Sequence, residues 1–226
     1  MEQVLDNPVF HALSSNDAHL GSASGNVKYF DAEVSPFVAF PADCDAGFEQ
    51  LYNVLPAGRR ILYATRTRIQ EPEGWELRNE ISGLQFVFTG TPGTTDDPLP
   101  LVPLENIHVD EMVALATLTK PGPFDKRTIE FGHYHGVFDN NRLVAMTGQR
   151  LHPYNYTEIS AVCTHPDHLG KGYAAALIRY QLQLIYNSGQ VPFLHVRNDN
   201  DRAIALYERL GFSRNGPMNF YFMRRR

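Results

Sequence analysis

Cysteine is scarce in this chain, and its scarcity excludes two structural classes. The 226 residues include two cysteines, Cys44 and Cys163, which lie far apart in sequence and form no Cys-x-x-Cys pair. A disulfide-rich fold or a cysteine-based zinc site needs more cysteines at closer spacing. We therefore expect both thiols to be reduced, as in a cytoplasmic protein, and expect Cys163 to pack as a small buried side chain.

Long apolar runs and an excess of basic charge are also missing. The sequence has no run of about 18 apolar residues and does not open with a basic-then-apolar leader, so we expect neither a membrane-spanning nor a secreted protein. The formal net charge is −5 at pH 7, whereas nucleic-acid-binding proteins carry a basic footprint. These absences predict a cytoplasmic protein without nucleic-acid or membrane partners.

The composition is that of an ordinary globular protein, interrupted by one loop-like segment. Hydrophobic residues make up 43% of the chain and charged residues 20%, and the length suits one large domain or two small ones. The segment GTPGTTDDPLP at 90–100 concentrates turn-forming residues and predicts a linker or a long loop. We therefore predict an N-terminal α/β domain at 1–98 and a second domain at 99–226.

The second half can be divided into helices and strands from its periodicity and turn residues. A helix predicted at 106–120 has an apolar stripe formed by Ile107, Met112, Leu115 and Leu118. The other predicted elements are strands at 101–105, 156–164, 191–196 and 219–225, a hairpin around residues 139–141, and helices at 125–130, 170–189 and 201–212. This order predicts a mixed sheet with helices on both sides.

The first half shows a fainter version of the same order. A helix is predicted at 48–55, followed by strands at 59–67 and 83–90. This segment is predicted to be a smaller α/β half-domain, and whether it is a degenerate copy of the second half stays open.

The stretch HPDHLGKGYAAALI, from His165, places a glycine loop between a predicted strand and a predicted helix. Gly170 and Gly172 allow positive φ and close approach of a ligand to the backbone. The free N–H groups and the dipole of the helix N-terminus favour a phosphate or pyrophosphate there. The spacing matches neither a Walker loop nor the dinucleotide fingerprint, and a simple turn is the alternative.

Two motifs in this half resemble the GNAT superfamily of acyl-CoA-dependent N-acyltransferases. The first is Leu169-Gly170-Lys171-Gly172-Tyr173-Ala174, in which Leu169 replaces the usual Gln or Arg of the family. The second is the Asn-x-x-Ala-x-x-Leu-Tyr-x-x-Leu-Gly-Phe pattern at 200–212. The resemblance covers about residues 100–226, and the whole chain is similar to the glycine N-acyltransferase-like branch.

The resemblance implies a fold and a cosubstrate site. The fold is a mixed, mostly antiparallel α/β (α+β) sheet with flanking helices, in which the motif strand and the next strand splay apart. Acetyl-CoA is the implied cosubstrate, with its pyrophosphate on the loop and its pantetheine arm in the gap. The implied cofactor-binding residues are Val162, Cys163, Thr164, Leu169, Gly170, Lys171, Gly172, Tyr173, Ala174 and Asn200.

Two residues are implied to be catalytic. Glu158 stands where some GNAT members carry a glutamate base, on a strand face that we expect it to share with Ser160 and Val162. Tyr207 matches the tyrosine that acts as general acid in many members. The alternatives are an ion-paired strand glutamate and a core tyrosine, and Asn200 is equally suited to be a helix N-cap.

Several other residues have weaker claims to a role. His165 and His168 lack a third ligand, so we expect no metal site. His133 and His135 either line the acceptor pocket or are structural, and His195 is expected in the core. Residues 119–127, with Thr119, Lys120, Phe124 and Arg127, fall where GNAT folds place acceptor-binding loops.

The sequence thus predicts an acetyl-CoA-dependent N-acetyltransferase. The acceptor is a primary amine of a small molecule, an amino acid or a peptide, which attacks directly within a ternary complex. A non-catalytic acyl-CoA-binding or sensor protein is the first alternative, and a protein-interaction scaffold the second. The sequence leaves the acceptor and the oligomeric state open, with a homodimer as one option.

Overall fold

The computed structural model describes residues 3–93 and 99–226. Residues 94–98, within the predicted linker, lie outside the described residues. The α-helices of the described part are α1 (Pro8–Ala12), α2 (Gly47–Val54), α3 (Val109–Thr119), α4 (Tyr173–Asn187) and α5 (Asp201–Arg209). Its strands are β1 (Gly21–Ser24), β2 (Val27–Phe30), β3 (Phe37–Ala39), β4 (Arg60–Thr65), β5 (Trp75–Phe88), β6 (Val102–Pro103), β7 (His135–Asp139), β8 (Arg142–Gln149), β9 (Tyr156–Thr164), β10 (Val191–Arg197) and β11 (Phe212–Arg225).

Within the described residues, the strands form a single sheet. Its order is β1-β2-β3-β4-β11-β5-β10-β9-β8-β7-β6. Only the β3–β4 and β9–β10 pairs are parallel among the strand pairs of these residues. Helices α4 and α5 pack on one apolar cluster of the sheet, and α1 and α3 contribute to another. The predicted mixed, mostly antiparallel sheet with flanking helices is therefore confirmed.

A strand of the first half lies between two strands of the second half. β5 pairs antiparallel with β10 and, from Trp75 to Phe88, with β11. Trp75 is fully buried at the start of β5, where its indole N–H donates to the Phe48 carbonyl at 3.1 Å. The two halves therefore share one sheet. The boundary predicted between residues 98 and 99 stays a prediction, because it adjoins the residues that the structure does not describe.

Local elements follow the sequence patterns closely in the second half. The strand predicted at 156–164 is β9 with the same bounds, and the predicted hairpin is β7–β8. Asn140 and Asn141 have φ of 49° and 60°, as a two-residue type I′ turn requires. The helix predicted at 125–130 is a 3-10 turn over Thr128–Phe131.

The predicted apolar stripe of α3 is wrong at both ends. Met112 and Leu115 are buried, but Ile107 is 83% exposed and Leu118 is 51% exposed. Ile107 lies in a 3-10 turn before α3, so the helical period does not extend to it. Leu118 lies about 120° around the helix from Met112 at 3.6 residues per turn, away from the buried face.

The β9–β10 pair is short, and the strands diverge after it. Their parallel pairing covers 156–158 of β9 and 191–193 of β10 and ends at Glu158 and Phe193. Beyond this point β9 stays paired with β8, and β10 stays paired with β5. The predicted splay of the motif strand and the following strand is therefore confirmed.

Candidate active site

A cleft of about 330 Å³ opens where β9 and β10 diverge. Its walls include residues 159–164 of β9, residues 195–197 of β10, and Tyr207 of α5. Between the two diverging edges, no strand of the described residues pairs with either one. An extended ligand in the cleft can therefore hydrogen bond to main-chain groups as an added strand would.

A β-bulge in β9 changes the sheet face on which its later side chains lie. Ala161 has φ of 53°, and the β8–β9 register shifts by one residue next to it. After this extra residue, Val162 packs in the cluster of α4 and α5, whereas Cys163 packs in the cluster of α3. The expectation that Val162 shares a face with Glu158 and Ser160 is therefore wrong, because strict alternation ends at the bulge.

Cys163 and Thr164 complete the predicted strand part of the site. Burial raises the pKa of the Cys163 thiol to about 11, although hydrogen bonding by Thr119 lowers it slightly. A thiol with this pKa stays protonated at neutral pH and is a poor nucleophile. Cys163 and Thr164 both line the cleft, as does Val162.

The glycine loop leaves the N-terminus of α4 open. Gly170 and Gly172 have φ of 81° and 82°, and a Cβ on either would meet nothing within 4 Å. Gly172 is the N-cap and no side chain caps the helix. The first intrahelical bond joins the Ala176 N–H to the Gly172 carbonyl at 3.1 Å, so the preceding N–H groups have no intrahelical partner. This geometry suits an anion.

The side chains around this loop face outward or pack in the first helical turn. Leu169 is 50% exposed, and Lys171 is exposed with its Nζ 6.0 Å from the centre of the Tyr173 ring. Tyr173 and Ala174 are half-buried in the first turn of α4. None of these residues belongs to the lining of the cleft, which includes Thr164 just before the loop. Lys171 is the one side chain among them that can add positive charge for an anion.

Replacing Leu169 is expected to leave acetyl-CoA binding nearly unchanged, because an exposed leucine side chain offers no hydrogen bond to a phosphate. We expect Leu169→Ala and Leu169→Gln to keep the dissociation constant of acetyl-CoA within about twofold by calorimetry. Leu118→Ala, which removes a similarly exposed leucine from α3, is the control. A large loss of affinity in both Leu169 variants with intact folding would show that this side chain binds the ligand.

Asn200 and Tyr207 lie at opposite ends of α5, and both line the cleft. The Asn200 side chain accepts from the Ala203 N–H at 3.2 Å, so it is an N-cap. The Tyr207 ring packs near Phe86 and Phe212. Its hydroxyl makes no hydrogen bond with any residue that the structure describes, and burial raises its pKa to about 12. The hydroxyl therefore stays protonated and is available as a donor.

Glu158 is buried in an ion pair at the point where the strands diverge. Its two carboxylate oxygens accept from Nε and Nη2 of Arg150 at 2.8 and 2.6 Å, and one also lies 2.7 Å from Nδ1 of His195. Burial raises the pKa of Glu158, but Arg150 and His195 outweigh it and lower the pKa to about 2. The carboxylate is therefore a fixed anion at neutral pH and only a weak base.

A chain of hydrogen bonds from the first half determines which ring nitrogen of His195 acts as the donor. Arg66 can only donate, so the Gln85 oxygen, 2.7 Å from its Nη2, accepts. The Gln85 NH₂ group then donates both to the Leu5 carbonyl and to Nε2 of His195, each at 2.9 Å. Nδ1 of His195 consequently carries the hydrogen and donates a hydrogen bond to Oε1 of Glu158. Both ring nitrogens of His195 are engaged in hydrogen bonds, so the ring is not free to act as a base.

Arg150, Gln85 and Phe37 belong to this site but did not emerge from sequence reasoning. A signal for Arg150 was available, because a hairpin between β8 and β9 places it opposite Glu158 as a cross-strand charge pair. The main chain confirms this register, since the Arg150 N–H donates to the Glu158 carbonyl at 3.0 Å. Gln85 and Phe37 gave no such signal, since their approach to the cleft depends on non-local strand order.

Some residues of the predicted acceptor loop line the cleft, and others lie outside its lining. Thr119 and Lys120 line the cleft together with residues 121–123. Phe124 packs against the core instead, and Arg127 forms a surface ion pair with Glu130 at 2.6 Å. Only the first part of the loop is therefore placed to meet an acceptor in the cleft.

The remaining histidines lie away from the cleft lining. His135 is mostly buried against Tyr180, with ring centroids 4.5 Å apart, so a place for His133 and His135 in the lining is not observed. His168 pairs with Asp139 at 2.9 Å. Within residues 3–93 and 99–226, no group of three or more His, Cys, Asp or Glu side chains is arranged to hold a metal ion. No helix in this described part is long and apolar enough to cross a membrane.

Comparisons with known proteins identify the family. A family model described as FR47-like protein matches residues 134–221. Over 94 residues the chain is 35% identical to the N-alpha-acetyltransferase RimI of Mycobacterium tuberculosis. This match covers 40% of this chain and 58% of the relative. Over 78 residues it is 35% identical to the mycothiol acetyltransferase of Corynebacterium efficiens. This match covers 34% of this chain and 26% of the relative. The chain thus spans 58% and 26% of the lengths of these curated relatives.

A solved structure extends the similarity to the whole chain. A protein of Novosphingobium aromaticivorans, assigned to the GNAT family of acetyltransferases, is 34% identical, with 100% of both chains covered and a TM-score of 0.93. The narrower assignment to the glycine N-acyltransferase-like branch stays a prediction. Identity and fold over the full length show that this chain belongs to the GNAT family of acetyltransferases.

Proposed function

We propose that this protein is an acetyl-CoA-dependent N-acetyltransferase that acts on a primary amine of a small molecule, an amino acid or a peptide. The observation that carries the proposal is the uncapped N-terminus of α4, with left-handed Gly170 and Gly172, beside a cleft that leads to Tyr207. The N-alpha-acetyltransferase RimI, with which the chain shares 35% identity over 94 residues, supports an amine acceptor.

The chain offers groups for the pyrophosphate, the pantetheine arm and the thioester of acetyl-CoA. The free N–H groups at the start of α4, with Lys171 beside them, suit the pyrophosphate. The diverging edges of β9 and β10 suit the amides of the pantetheine arm. An arm of this kind would carry the thioester towards Tyr207 and Glu158.

The proposed reaction is a single displacement. The neutral amine nitrogen attacks the thioester carbonyl carbon, a C–N bond forms, and the C–S bond breaks to release the CoA thiolate. The thiolate takes a proton, for which the Tyr207 hydroxyl is the proposed donor, and the amine gives up one proton. Holding both substrates in one cleft supplies most of the rate gain by proximity. Cys163 takes no part, because its thiol is buried and protonated.

That Glu158 acts as a base stays a prediction. Its ion pair with Arg150 limits the ways in which it can assist loss of the proton. Free alkyl amines have a pKa near ~10, so most of the acceptor enters as ammonium. A carboxylate with a pKa of about 2 cannot hold a proton at neutral pH. We therefore propose that Glu158 assists only through a hydrogen-bonded water, which takes the proton from the ammonium and passes it to bulk solvent.

Changing Gly172 is expected to weaken acetyl-CoA binding. Gly172→Val places a branched side chain where the pyrophosphate would approach, and we expect at least a tenfold loss of affinity, about 1.4 kcal/mol, by calorimetry. Gly189→Val is the matched control, because Gly189 lies at the other end of α4 with φ of 73° and equally open space. The control carries similar backbone strain without blocking the loop. Equal affinity in both variants would contradict an anion site at this loop.

The alternative is an acyl-CoA-binding sensor without catalysis, and the ion pair that makes Glu158 a weak base favours it. Steady-state release of the CoA thiol with a panel of amines separates the two functions. The proposed enzyme releases thiol only when a suitable amine is present and forms the acetylated amine in equal amount. Tight acetyl-CoA binding without amine-dependent release would support the sensor.

A further inference from the structure

One wall of the cleft is apolar and comes mainly from strands that the catalytic motifs do not include. It contains Phe37 of β3, Leu62 of β4 and Ile81 of β5, together with Phe220 and Phe222 of β11. Phe37 and Leu62 are fully buried core residues, and the two phenylalanines of β11 are partly buried against the same cluster. A polar acceptor would lose hydration against this wall without regaining hydrogen bonds.

One edge of the Arg150 guanidinium faces the cleft without a partner. Nε and Nη2 are bound to Glu158, and the cation lies 4.9 Å from the centre of the Phe37 ring. Nη1 makes no hydrogen bond with any residue that the structure describes and lies 3.9 Å from where a Cβ on Gly122 would be. The Nη1 group of Arg150 therefore offers two N–H donors to a ligand beside the apolar wall.

These donors border a recess the size of one oxygen atom or water molecule. The recess has a volume of about 10 Å³, and its lining includes Tyr134, Arg150 and Ser160. Burial raises the pKa of the Tyr134 hydroxyl, which therefore stays protonated and can donate. Arg150 can only donate and the two hydroxyls can donate, so the recess fits an oxygen that accepts hydrogen bonds.

We infer that the acceptor is the α-amine of an amino-acid residue with an apolar side chain. Its carboxylate or carbonyl oxygen accepts from Nη1 of Arg150 at the recess, and its side chain packs on the wall around Phe37. A simple alkyl amine would leave the Arg150 donors unpaired when it displaces water, which a site built for an oxygen rejects. The inference rests on the proposed function and specifies its substrate class.

A matched panel of amines tests this inference on the wild-type protein. L-phenylalaninamide has the amine, the apolar side chain and the carbonyl; phenethylamine lacks the carbonyl, and glycinamide lacks the apolar side chain. We expect kcat/KM for L-phenylalaninamide to exceed each of the other two by at least about tenfold. Rates are compared per neutral amine, because the carbonyl also lowers the pKa of the amine.

Free L-phenylalanine and a short peptide with N-terminal phenylalanine distinguish the two sources of the oxygen. A faster reaction of the free amino acid indicates a carboxylate, and a faster reaction of the peptide indicates a chain N-terminus. Either result is consistent with an oxygen at the recess. Equal kcat/KM for phenethylamine and L-phenylalaninamide would overturn the inference while leaving the proposed function intact. Acetyl-CoA binding without acetylation of any amine would instead refute the proposed function.

A substitution at Arg150 tests whether this residue causes the preference for L-phenylalaninamide. Arg150→Lys keeps a positive charge beside Glu158 but loses the free Nη1 edge, so we expect the preference for L-phenylalaninamide over phenethylamine to shrink to about threefold or less. Acetyl-CoA affinity should stay unchanged. Arg214→Lys, at an exposed ion pair with Glu208, is the control and should keep the full preference. An unchanged preference in folded Arg150→Lys would overturn the role of Arg150, and the wild-type panel remains decisive where this variant does not fold.

Discussion

Replacing Tyr207 with phenylalanine is expected to lower kcat by about 10²–10⁴-fold, the usual contribution of a general acid. The reason is that the departing CoA thiolate then lacks its proton donor, while the aromatic packing near Phe86 and Phe212 is retained. Acetyl-CoA affinity and stability should change little, because the hydroxyl makes no hydrogen bond with any described residue. Steady-state kinetics and calorimetry on the same preparation measure both quantities.

The choice of acyl donor makes this test specific for the leaving group. With an acetyl thioester of nitrothiophenol, whose thiolate needs no proton, the loss caused by Tyr207→Phe should shrink markedly. Raising the pH should not restore the rate, because the defect is in departure of the thiolate. Tyr186→Phe, at an exposed tyrosine near the end of α4, is the control. A wild-type kcat for Tyr207→Phe on a confirmed acceptor would make Tyr207 a structural residue.

Neutralising Glu158 is expected to be the most destabilising single change at the site. Glu158→Gln leaves the buried Arg150 charge without its counter-ion, and breaking a buried pair costs about 3–5 kcal/mol of unfolding free energy. Asp199→Asn is the matched control, because Asp199 accepts the same two-point contact from Arg197 at the surface. Water screens the surface pair, so the control should lose far less stability in urea unfolding.

The pH dependence of this stability has a definite sign. The pKa of Glu158 is about 2 in the folded protein, below its ordinary value of 4.5. Its contribution is therefore fully present above about pH 4.5 and is lost as the pH falls towards about 2. The stability difference between wild type and Glu158→Gln should be constant near neutrality and shrink in this acidic range. A difference that stays constant down to about pH 2 would contradict the ion pair.

The rate of the same variant tests the assistance that Glu158 gives to the amine. Glu158→Gln should lower kcat with little change in acetyl-CoA affinity, and raising the pH should partly restore the rate because more of the amine is then neutral. Tyr207→Phe should show no such rescue, so the two variants differ in pH profile. A rate that does not recover at high pH would limit Glu158 to holding Arg150 and His195 in place.

Much of the fold could be predicted because its second half is built from contiguous patterns. The β9 strand, the two glycines and the start of α4 follow one another in sequence, and each has a local signal. The position of β5 between β10 and β11 could not be predicted, since strand order depends on contacts distant in sequence. The bulge at Ala161 was equally hidden, because alanine at positive φ has no sequence signature.

The difference between local patterns and contacts distant in sequence also applies to the candidate site. Tyr207 and Asn200 were placed by a pattern within one helix, and the structure brings both to the cleft. The partners of Glu158 were not predicted from the sequence, although the register of the β8–β9 hairpin would have indicated Arg150. The hydrogen bond from Gln85 to His195 joins residues 110 positions apart. Such a contact follows from the insertion of β5 and from nothing in either segment alone.

Direct transfer of the acetyl group to an amine is tested by a mass-spectrometric single turnover with isotopically labelled acetyl-CoA and L-phenylalaninamide. Direct transfer predicts that all of the label appears on the amine nitrogen of the acceptor, with one free CoA thiol per product and an unlabelled protein chain throughout. It also predicts that no product forms when the amine is omitted. Transient label on the chain that is passed on to the amine, or thiol release without labelled amine, would contradict direct transfer from acetyl-CoA to an amine.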